Sequence, residues 1–436
     1  MKIIKKKDAL FINWKDLMKY INNPAVHEII NRIQNLCNTF EYQAYIVGGF
    51  VRDFLMDRPS KDIDIVIEGN ALEIGQALSK HCDVPFIAYH DFLTGRIELS
   101  EELSIDLITA RSEYYQSPGA LPIVKPAHLV EDLQRRDFSI NSIAVQIDKK
   151  NCGMVIDYFK GLQDLYNKTI RILHNLSFYD DPTRIFRAIK FEKRYDFYIE
   201  ENTSKLMLDV IDKDIMSRVS KERIKNEIFW ILDEEKAYEN IKKLIHLKLL
   251  QFLYSYIVFD EENIKGLEDI NKSTWNLDMK IDDRLVKLLI VFSNCTREHL
   301  DHLKRDLCLN KYYSHSFTEM LKYKEDIFNT LKKPSISNYE LFKLLQKINK
   351  EVLTALYYIT HDDIVRHKII YYIQNLCHTK LKINGNDLAK LCIKPGKIYK
   401  CIMDEVLKAK LDGQIQGHEE ELRYALNLFD SMNNDE

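Results

Sequence analysis

A short apolar run that ends in a glycine pair and is followed by two aspartates most restricts how this chain folds. Residues 44–47 are typical of a buried strand, and Gly48 and Gly49 follow directly. Glycine permits a tight turn, so the pair predicts a helix start whose free N–H groups face a phosphate. Asp62 and Asp64 lie two residues apart, so on a strand both carboxylates share a face, as two Mg²⁺ ions about 4 Å apart require. The order predicts a triphosphate cradle beside a magnesium site.

Each half of this pattern also has an ordinary explanation. A glycine pair alone is commonly only a turn, and an Asp-x-Asp sequence alone is commonly a solvated strand end. The two halves occur here together and in the order that the chemistry needs, with Arg52 and Asp53 three and four residues after Gly49. The combination favours a nucleotidyltransferase.

The composition limits the class of protein. With 436 residues, 46% of them hydrophobic, the chain can form several domains with substantial cores. No stretch approaches the ~20 apolar residues of a membrane span, and the N-terminus lacks the apolar run of a secretion signal. We therefore expect a soluble cytoplasmic protein that does not bind membranes. The net charge of −3 argues against indiscriminate coating of nucleic acid, but 63 Lys and Arg residues leave material for a local basic surface.

The eight cysteines are scattered and include no C-x-x-C pair, so the sequence predicts neither a zinc site nor a disulfide framework.

The residue pattern changes near position 150. After that point apolar residues recur at helical spacing and glycine and proline become rare, which predicts an α+β head on a long helical arm. Before it, strand-like runs alternate with helical segments, at residues 44–47, 63–67, 105–108 and 142–147.

Two further features of the predicted head, Asp106 and residues 112–128, can each be explained in two ways. Asp106 lies in an apolar strand-like run, where a carboxylate is costly to bury unless it binds a metal or an arginine. It is either a third catalytic acid of the metal site or a salt-bridge partner of a residue such as Arg111. Residues 112–128 form a long segment rich in proline and tyrosine, which is either a functional lid or a surface excursion.

A charged segment at residues 131–141 predicts a helix with Asp137 and Asn141 one turn apart on one face. Arg135 and Arg136 could neutralise phosphate oxygens there. Asp137 could accept a hydrogen bond from a ribose 2′-hydroxyl and so favour ribonucleotides. The ordinary alternative is a solvated helix face.

The segment around Pro182 has the acids and proline of a well-capped helix start. Asp181 and Arg184 lie three residues apart on one face. Such a pair can accept a hydrogen bond from an amino group and donate one to a ring nitrogen. Cytosine and adenine offer those two groups, whereas uracil and guanine present a carbonyl and a ring N–H, so the pair would take C or A.

These motifs, in this order, resemble the class II tRNA nucleotidyltransferases, namely the CCA-adding enzymes and their poly(A) polymerase relatives in the DNA polymerase beta nucleotidyltransferase superfamily. The resemblance covers about residues 40–230. It departs from the family's usual motifs at two places. Position 180 is Asp where the motif that selects the nucleotide normally has Glu, and Ser139 and Ser142 differ from the usual residues around Asn141 in the motif predicted to bind the ribose. The residues that match nucleotide-binding motifs are Gly48, Gly49, Arg52, Asp53, Arg135, Arg136, Asp137, Asn141, Asp181, Arg184 and Arg187.

The resemblance implies a DNA polymerase beta-like nucleotidyltransferase head on an elongated all-α neck, body and tail. The head with an N-terminal helix would occupy residues 1–148, the neck with the nucleotide-selecting template 149–250, and the tRNA-binding body and tail 251–436. It also implies transfer of AMP or CMP from ATP or CTP to the tRNA 3′-hydroxyl with release of pyrophosphate. Two Mg²⁺ ions would be held by Asp62 and Asp64.

The tail resembles the RNA-binding region of these relatives. Four of its lysines are predicted to meet the phosphates of the tRNA acceptor and T arm, with a solvated lysine face as the alternative. They are Lys390, Lys394, Lys397 and Lys400.

Residues 110–122 and 174–178 resemble the branch of the family in which CC addition and A addition are divided between two proteins. That favours an A-adding enzyme that acts after a separate CC-adding enzyme. The alternatives are a full CCA-adding or CC-adding enzyme, a poly(A) polymerase, transfer to another acceptor, and a non-catalytic RNA-binding relative.

Overall fold

The structure is a computed structural model that describes residues 2–6, 9–60, 62–82, 84–100, 103–272, 281–391 and 393–434. The chain divides into two compact units, Met1–Glu234 and Glu235–Glu436. The N-terminal unit contains a β-sheet, and the described part of the C-terminal unit is helical. The predicted α+β class is confirmed, whereas the three predicted domain ranges stay predictions.

The strands of the described residues all lie in the N-terminal unit. They are β1 (Ile3–Lys6), β2 (Ala9–Ile12), β3 (Gln43–Val47), β4 (Asp62–Glu68), β5 (Phe86–Tyr89), β6 (Thr94–Ser100), β7 (Leu103–Thr109), β8 (Arg111–Tyr114), β9 (Ile123–Pro126), β10 (Ala144–Gln146), β11 (Val155–Ile156), β12 (Thr169–Ile170) and β13 (Tyr198–Ile199).

The described helices of this unit lie before, between and after its strands in the sequence. They are α1 (Trp14–Ile21), α2 (Pro24–Thr39), α3 (Gly49–Leu55), α4 (Ala71–Cys82), α5 (Leu129–Gln134), α6 (Gly161–Tyr166), α7 (Ser177–Asp180), α8 (Arg184–Tyr195), α9 (Glu201–Asp212) and α10 (Lys221–Leu232), with short 3-10 helices at His90–Phe92, Ser139–Asn141 and Ile215–Arg218.

The main sheet of the described residues has the order β11-β10-β3-β4-β7-β6-β5, with β4 and β7 parallel and the other neighbours antiparallel. Side chains alternate between its faces. On β4, Ile63, Ile65 and Ile67 are buried in a core that includes residues of α2 and α4. Asp62 and Asp64 therefore point to the opposite face, where Val66 packs in a smaller cluster with residues of α5.

The segment predicted as one helix over residues 131–141 is different in the structure. Helix α5 ends at Gln134, and a 3-10 helix follows at Ser139–Asn141. Tertiary contacts explain the break, because Ser139 N donates to Arg171 O at 2.9 Å and Phe138 forms a β-bridge with Ile172. The strand predicted at residues 142–147 is also shorter, at Ala144–Gln146.

The C-terminal unit is built from helices whose apolar faces pack together. They are α11 (Ala237–His246), α12 (Leu249–Leu253), α13 (Glu261–Ile264), α14 (Gly266–Lys272), α15 (Asp283–Val291), α16 (Leu300–Asp306), α17 (Lys311–Leu331), α18 (Asn338–Leu345), α19 (Lys350–Ile359), α20 (Asp363–Tyr371), α21 (Gly385–Lys390), α22 (Lys397–Leu411) and α23 (Gly417–Asn434), with a π-helix at Tyr372–Leu376. In the described part of the chain, no helix combines the length and apolar character needed to cross a bilayer.

Candidate active site

A cavity of about 440 Å³ opens beside Gly48 and Asp64 in the N-terminal unit. Its lining comes from segments far apart in sequence, including the β3–α3 turn, the segment after α5 and helices α8 and α10. The structure thus brings together most of the residues that the sequence motifs indicate. Those that line the cavity are Gly48, Gly49, Arg52, Asp64, Arg135, Arg136, Asp137, Asn141, Asp181, Arg184 and Arg187.

A side chain at Gly48 would crowd two charged groups of the cavity. Gly48 has φ +75°, a conformation that favours glycine. A Cβ there would lie 2.8 Å from Arg136 Nη1 and 3.1 Å from Asp64 Oδ2. The turn therefore brings the backbone close to a carboxylate and a guanidinium at once, as a phosphate cradle beside a metal site requires.

The two aspartates of β4 differ in exposure. Asp62 is exposed, and Asp64 is half-buried at the cavity. Burial raises the pKa of Asp64, and the nearby Asp106 and Asp62 raise it further, whereas Arg136 lowers it. A desolvated carboxylate beside other carboxylates is an environment that a divalent cation would stabilise. The described residues contain no group of three or more Asp, Glu, His or Cys side chains arranged to hold a metal. Asp62 and Asp64 are the two residues that would hold the ion.

Asp106 is a salt-bridge partner, although not of Arg111. It faces Asp64 across the parallel β4–β7 pair and Arg96 across the β6–β7 pair. Arg96 donates to both carboxylate oxygens, from Nε at 2.8 Å and from Nη2 at 2.9 Å. Arg111 instead pairs with Glu113 at 3.4 Å. A metal-binding role for Asp106 stays a prediction.

Two acids pair with Arg135 and Arg136, and neither acid was among the predicted site residues. Asp132 is fully buried and accepts from Arg135 at 2.7 Å and from Arg136 at 3.1 Å. Burial alone would raise the pKa of Asp132, but the two arginines outweigh it and lower the pKa. Glu113 accepts from Arg135 at 2.9 Å and from Tyr115 at 2.8 Å. The spacing of Asp132, three and four residues before the arginines, was a visible signal for its role.

The predicted ribose motif forms a connected polar chain. Arg52 pairs with Asp53 at 2.8 Å, and its Nη1 donates to Asn141. Asn141 Nδ2 donates to Asp137 at 2.9 Å, and Arg187 pairs with Asp137 at 2.6 Å. Burial would raise the pKa of Asp137, but Arg187 and Asn141 help to lower it. Asp137 is thus held as an acceptor, and Asp53, which is outside the cavity lining, orients Arg52.

Each of the two predicted base-reading residues uses only part of its hydrogen-bonding capacity within the protein. Asp181 Oδ1 accepts from Thr183 N at 3.1 Å, Thr183 Oγ1 at 2.6 Å and Arg223 Nη2 at 2.7 Å. Arg184 Nη2 donates to Arg135 O at 2.7 Å. Arg184 Nη1 is buried and has no hydrogen-bond partner among the described residues. One carboxylate oxygen and one guanidinium nitrogen therefore remain for a ligand.

The segment predicted as a lid or an excursion contains a hairpin. Strands β8 and β9 pair antiparallel, from Arg111 opposite Pro126 to Tyr114 opposite Ile123. Residues 115–122, here called the hairpin tip, connect them. Tyr115 and Pro122 line the cavity, while the lid role stays a prediction.

The four predicted RNA-binding lysines lie in the C-terminal unit and are all exposed. Lys390 ends α21 and pairs with Asp387 at 3.4 Å, and Lys397 begins α22. Lys394 lies between these helices and Lys400 within α22. Their contact with RNA stays a prediction.

Two family models match the chain. The model described as "Poly A polymerase head domain" matches residues 44–171, and the model described as "Probable RNA and SrmB- binding site of polymerase A" matches residues 196–259. The first covers the glycine turn, the aspartates and the ribose motif. The second lies in the helical region after them.

Curated relatives match nearly the whole chain. It is 31% identical to the A-adding tRNA nucleotidyltransferase of Geobacter sulfurreducens over 95% of this chain and 48% of that protein. The chain therefore spans about half the length of that relative. It is 27% identical to the A-adding tRNA nucleotidyltransferase of Halalkalibacterium halodurans over 96% of each chain.

Solved structures of similar proteins have the same fold. The apo form II structure of a CCA-adding enzyme superimposes with a TM-score of 0.83 at 29% identity, over 95% of this chain and 98% of that one. The Thermotoga maritima CCA-adding enzyme complexed with tRNA superimposes with a TM-score of 0.79 at 27% identity, again over 95% and 98%.

Proposed function

Because the chain belongs to the class II tRNA nucleotidyltransferase family, which includes the CCA-adding enzymes, we propose that it transfers nucleotides from ribonucleoside triphosphates to the 3′ end of tRNA. We propose further that its reaction is addition of the terminal A. In the reaction, the tRNA 3′-oxygen forms a bond to the α-phosphorus of ATP. The bond from that phosphorus to pyrophosphate breaks, and the hydroxyl proton is lost to water.

One observation carries this proposal. The cavity that contains Asp64 and the glycine turn is also lined by Asp181 and Arg184. Among the described residues, the hydrogen bonds to the Asp181 carboxylate fall on Oδ1, and the buried Nη1 of Arg184 has no partner. Adenine would donate its N6 amino group to Asp181 and accept from Arg184 at N1. Cytosine offers the same pattern with N4 and N3, whereas uracil and guanine would place a carbonyl against a carboxylate.

The cationic side of the cavity suits the triphosphate. Asp132 fixes Arg136, whose Nη1 lies beside the glycine turn, so this group can donate to a phosphate above Gly48. Asp137, held by Asn141 and Arg187, is positioned to accept from a ribose hydroxyl. Asp62 and Asp64 would hold Mg²⁺, which supplies positive charge to the attacking oxygen and the departing pyrophosphate.

The choice of A addition is supported by the names of relatives. The G. sulfurreducens and H. halodurans proteins are both called A-adding, and both matches extend over nearly all of this chain. Full CCA addition is the second candidate, because the T. maritima structure is that of a CCA-adding enzyme in complex with tRNA. Under A addition, a separate CC-adding enzyme must supply the substrate.

The test is an extension assay with Mg²⁺, each ribonucleoside triphosphate in turn, and two tRNA transcripts. One transcript ends in CC and the other lacks both cytidines. We expect growth of the CC-ended transcript by one A. If the shorter transcript gains CC or CCA, the chain performs the earlier steps, and if neither grows, the proposed activity is wrong.

Base choice is tested in the same assay with Arg184→Ala. This change removes the donor to the ring nitrogen, so we expect preference for ATP over UTP to fall by about 10-fold or more. Lys205→Ala is a matched control, because Lys205 lies on the exposed surface of α9 and pairs there with Glu201. An unchanged preference in the Arg184 variant would contradict the base-reading assignment.

A further inference from the structure

Two polar partners hold Arg52 along the edges of its guanidinium. Its Nε and Nη2 each donate to the Asp53 carboxylate at 2.9 Å, and its Nη1 donates to Asn141 Oδ1. Arg52 itself is buried. Asp53 follows Arg52 directly on α3, so it moves with the arginine and cannot by itself fix Arg52 relative to Asn141.

Two aromatic rings from another helix lie against the same guanidinium. Tyr195 and Phe191 are one turn apart on α8, and their ring centroids lie 4.8 Å and 5.2 Å from Arg52 Cζ. Both side chains are buried. A cation over an aromatic ring is attracted by the negative face of the π system, and the flat guanidinium of arginine can stack there. Helix α8 therefore supplies a contact that fixes Arg52 from a different element.

The ring of Tyr195 is neutral and is itself held in place. Burial raises the pKa of Tyr195, although Arg52 lowers it, so the hydroxyl keeps its proton near neutral pH. Phe191 and Phe197 pack on the ring, with centroids 5.6 Å and 5.7 Å away. Phe191 also lines the cavity, whereas Tyr195 lies outside the described lining. An effect of Tyr195 on a bound nucleotide would therefore pass through a neighbour such as Arg52.

The bond from Arg52 determines which way the Asn141 amide points. Because Nη1 can only donate, it faces the amide oxygen, and the other end of the amide, Nδ2, donates to Asp137 Oδ1 at 2.9 Å. If Arg52 moved away, the amide could turn and place its oxygen against the Asp137 carboxylate. Asp137 is the proposed acceptor for a ribose hydroxyl. The stack on Arg52 is thus connected to the sugar-binding end of the cavity.

We propose that Tyr195 is a positioning residue that holds Arg52 by stacking, and thereby sets the preference of the cavity for a ribonucleotide over a deoxyribonucleotide. This inference rests on the proposed function of the cavity. It assigns Tyr195 no contact with the nucleotide, since Tyr195 acts through Arg52 and Asn141. Base choice belongs to Asp181 and Arg184 and should not depend on the stack.

The first test compares Tyr195→Leu with Tyr195→Phe in the extension assay with the CC-ended transcript. Leucine removes the ring, so we expect the ratio of kcat/KM for ATP to that for dATP to fall by about 10-fold. Phenylalanine keeps the ring and should retain that ratio to within about twofold. A wild-type ratio in the leucine variant would overturn the proposal, and so would an equal loss in the phenylalanine variant.

The second test measures base choice in the same variant. The ratio of kcat/KM for ATP to that for UTP should stay unchanged in Tyr195→Leu, and an equal fall in both ratios would indicate a general loosening of the cavity and overturn the proposal. Urea denaturation checks that the variant is folded. If it is not, Tyr195→Met takes its place, because the unbranched side chain of methionine fills irregular space without supplying a ring, and the same two ratios are expected.

Phe197→Leu is the matched control. Phe197 is 8% exposed and Tyr195 is 5% exposed. The change removes an aromatic ring of similar burial and leaves the ring beside Arg52 in place, so it should lower stability without changing the ratio of ATP to dATP use. A fall of this ratio as large as that in Tyr195→Leu would overturn the proposal.

A binding assay separates this inference from the proposed function. Affinities of ATP and dATP for wild type and Tyr195→Leu are measured by calorimetry without tRNA. If wild type extends no tRNA, the proposed function fails, and the affinity ratio still decides the role of Tyr195. A smaller ratio in the variant supports that role. Equal ratios in the two proteins, or a wild type that binds ATP and dATP equally, would overturn it.

Discussion

The charges of the N-terminal cavity and those of the C-terminal lysine segment are stabilised in opposite ways. In the cavity, the fully buried Asp132 accepts from Arg135 and Arg136. In the C-terminal unit, the side chain of Lys390 is 79% exposed and pairs with Asp387 at 3.4 Å. The hydrogen bonds of the cavity fix the direction in which its charged groups point. The exposed lysine side chains of the C-terminal segment stay solvated.

This difference separates two kinds of recognition. Buried, multiply bonded charges lose their partners only at high cost, so they can present fixed donors and acceptors to one ligand. Exposed charges contribute little to stability and are screened by salt, so they suit contacts with a phosphate backbone. The comparison predicts large effects of single substitutions in the cavity and small, additive effects in the tail.

The largest effect should follow from Asp64→Asn. The change keeps the shape of the side chain but removes the charge that would bind Mg²⁺, so nucleotide incorporation should fall below about one thousandth of the wild-type rate. Because burial raises the pKa of Asp64, the neutral amide should leave the free energy of unfolding unchanged or higher. The two measurements are tRNA extension and urea denaturation without metal. If the variant still incorporates nucleotides at the wild-type rate, the assignment of Asp64 as a catalytic residue is wrong.

Asp132→Asn should instead destabilise the protein. It leaves Arg135 and Arg136, whose side chains are 15% and 12% exposed, without their shared carboxylate, so we expect the free energy of unfolding to fall by about 3–5 kcal/mol. Urea denaturation measures this loss. Glu405→Gln is the matched control, because Glu405 is partly exposed, pairs with Lys408 at 3.6 Å and should cost less than about 1 kcal/mol. If both variants lose the same free energy of unfolding, the proposed difference between the cavity charges and the exposed charges of the C-terminal unit is wrong.

Glu227, a buried acid on α10, should make the free energy of unfolding depend on pH. Burial raises the pKa of Glu227 from 4.5 to about 7, Asp181 also raises it, and Lys190, Arg187 and Arg223 lower it. The folded state therefore holds this proton more tightly than the unfolded state does. Its stabilising contribution is complete below about pH 4.5 and is lost as pH rises through about 7, by roughly 3 kcal/mol.

The variant Glu227→Gln cannot lose that proton. Denaturation midpoints between pH 5 and pH 8 should therefore decline less steeply with pH in the variant than in wild type. Parallel curves for the two proteins would show that Glu227 does not titrate in this range.

Local sequence patterns predicted the parts of the site that depend on local geometry. The spacing of Asp62 and Asp64 predicted that both share one face of a strand, because neighbouring strand residues point in opposite directions. In the structure, Ile63 and Ile65 of β4 lie in the core on the other face. The helix predicted through residue 141 failed because Ser139 bonds to Arg171, which no spacing rule indicates. Likewise, Arg223 gave no signal, since its partners are 42 and 104 residues away.

The smallest effects are expected in the lysine segment. Lys394→Ala and Lys397→Ala should each weaken tRNA binding slightly and reduce the slope of log affinity against log salt by about 1, because each removes one phosphate contact. Lys410→Ala is the contrasting change. Lys410 pairs with the fully buried Glu421, so its loss should lower stability more than it alters the salt slope. Titrations of tRNA at several salt concentrations test both. If the slope stays constant in the first two variants, these lysines are a solvated face and the RNA-binding surface lies elsewhere.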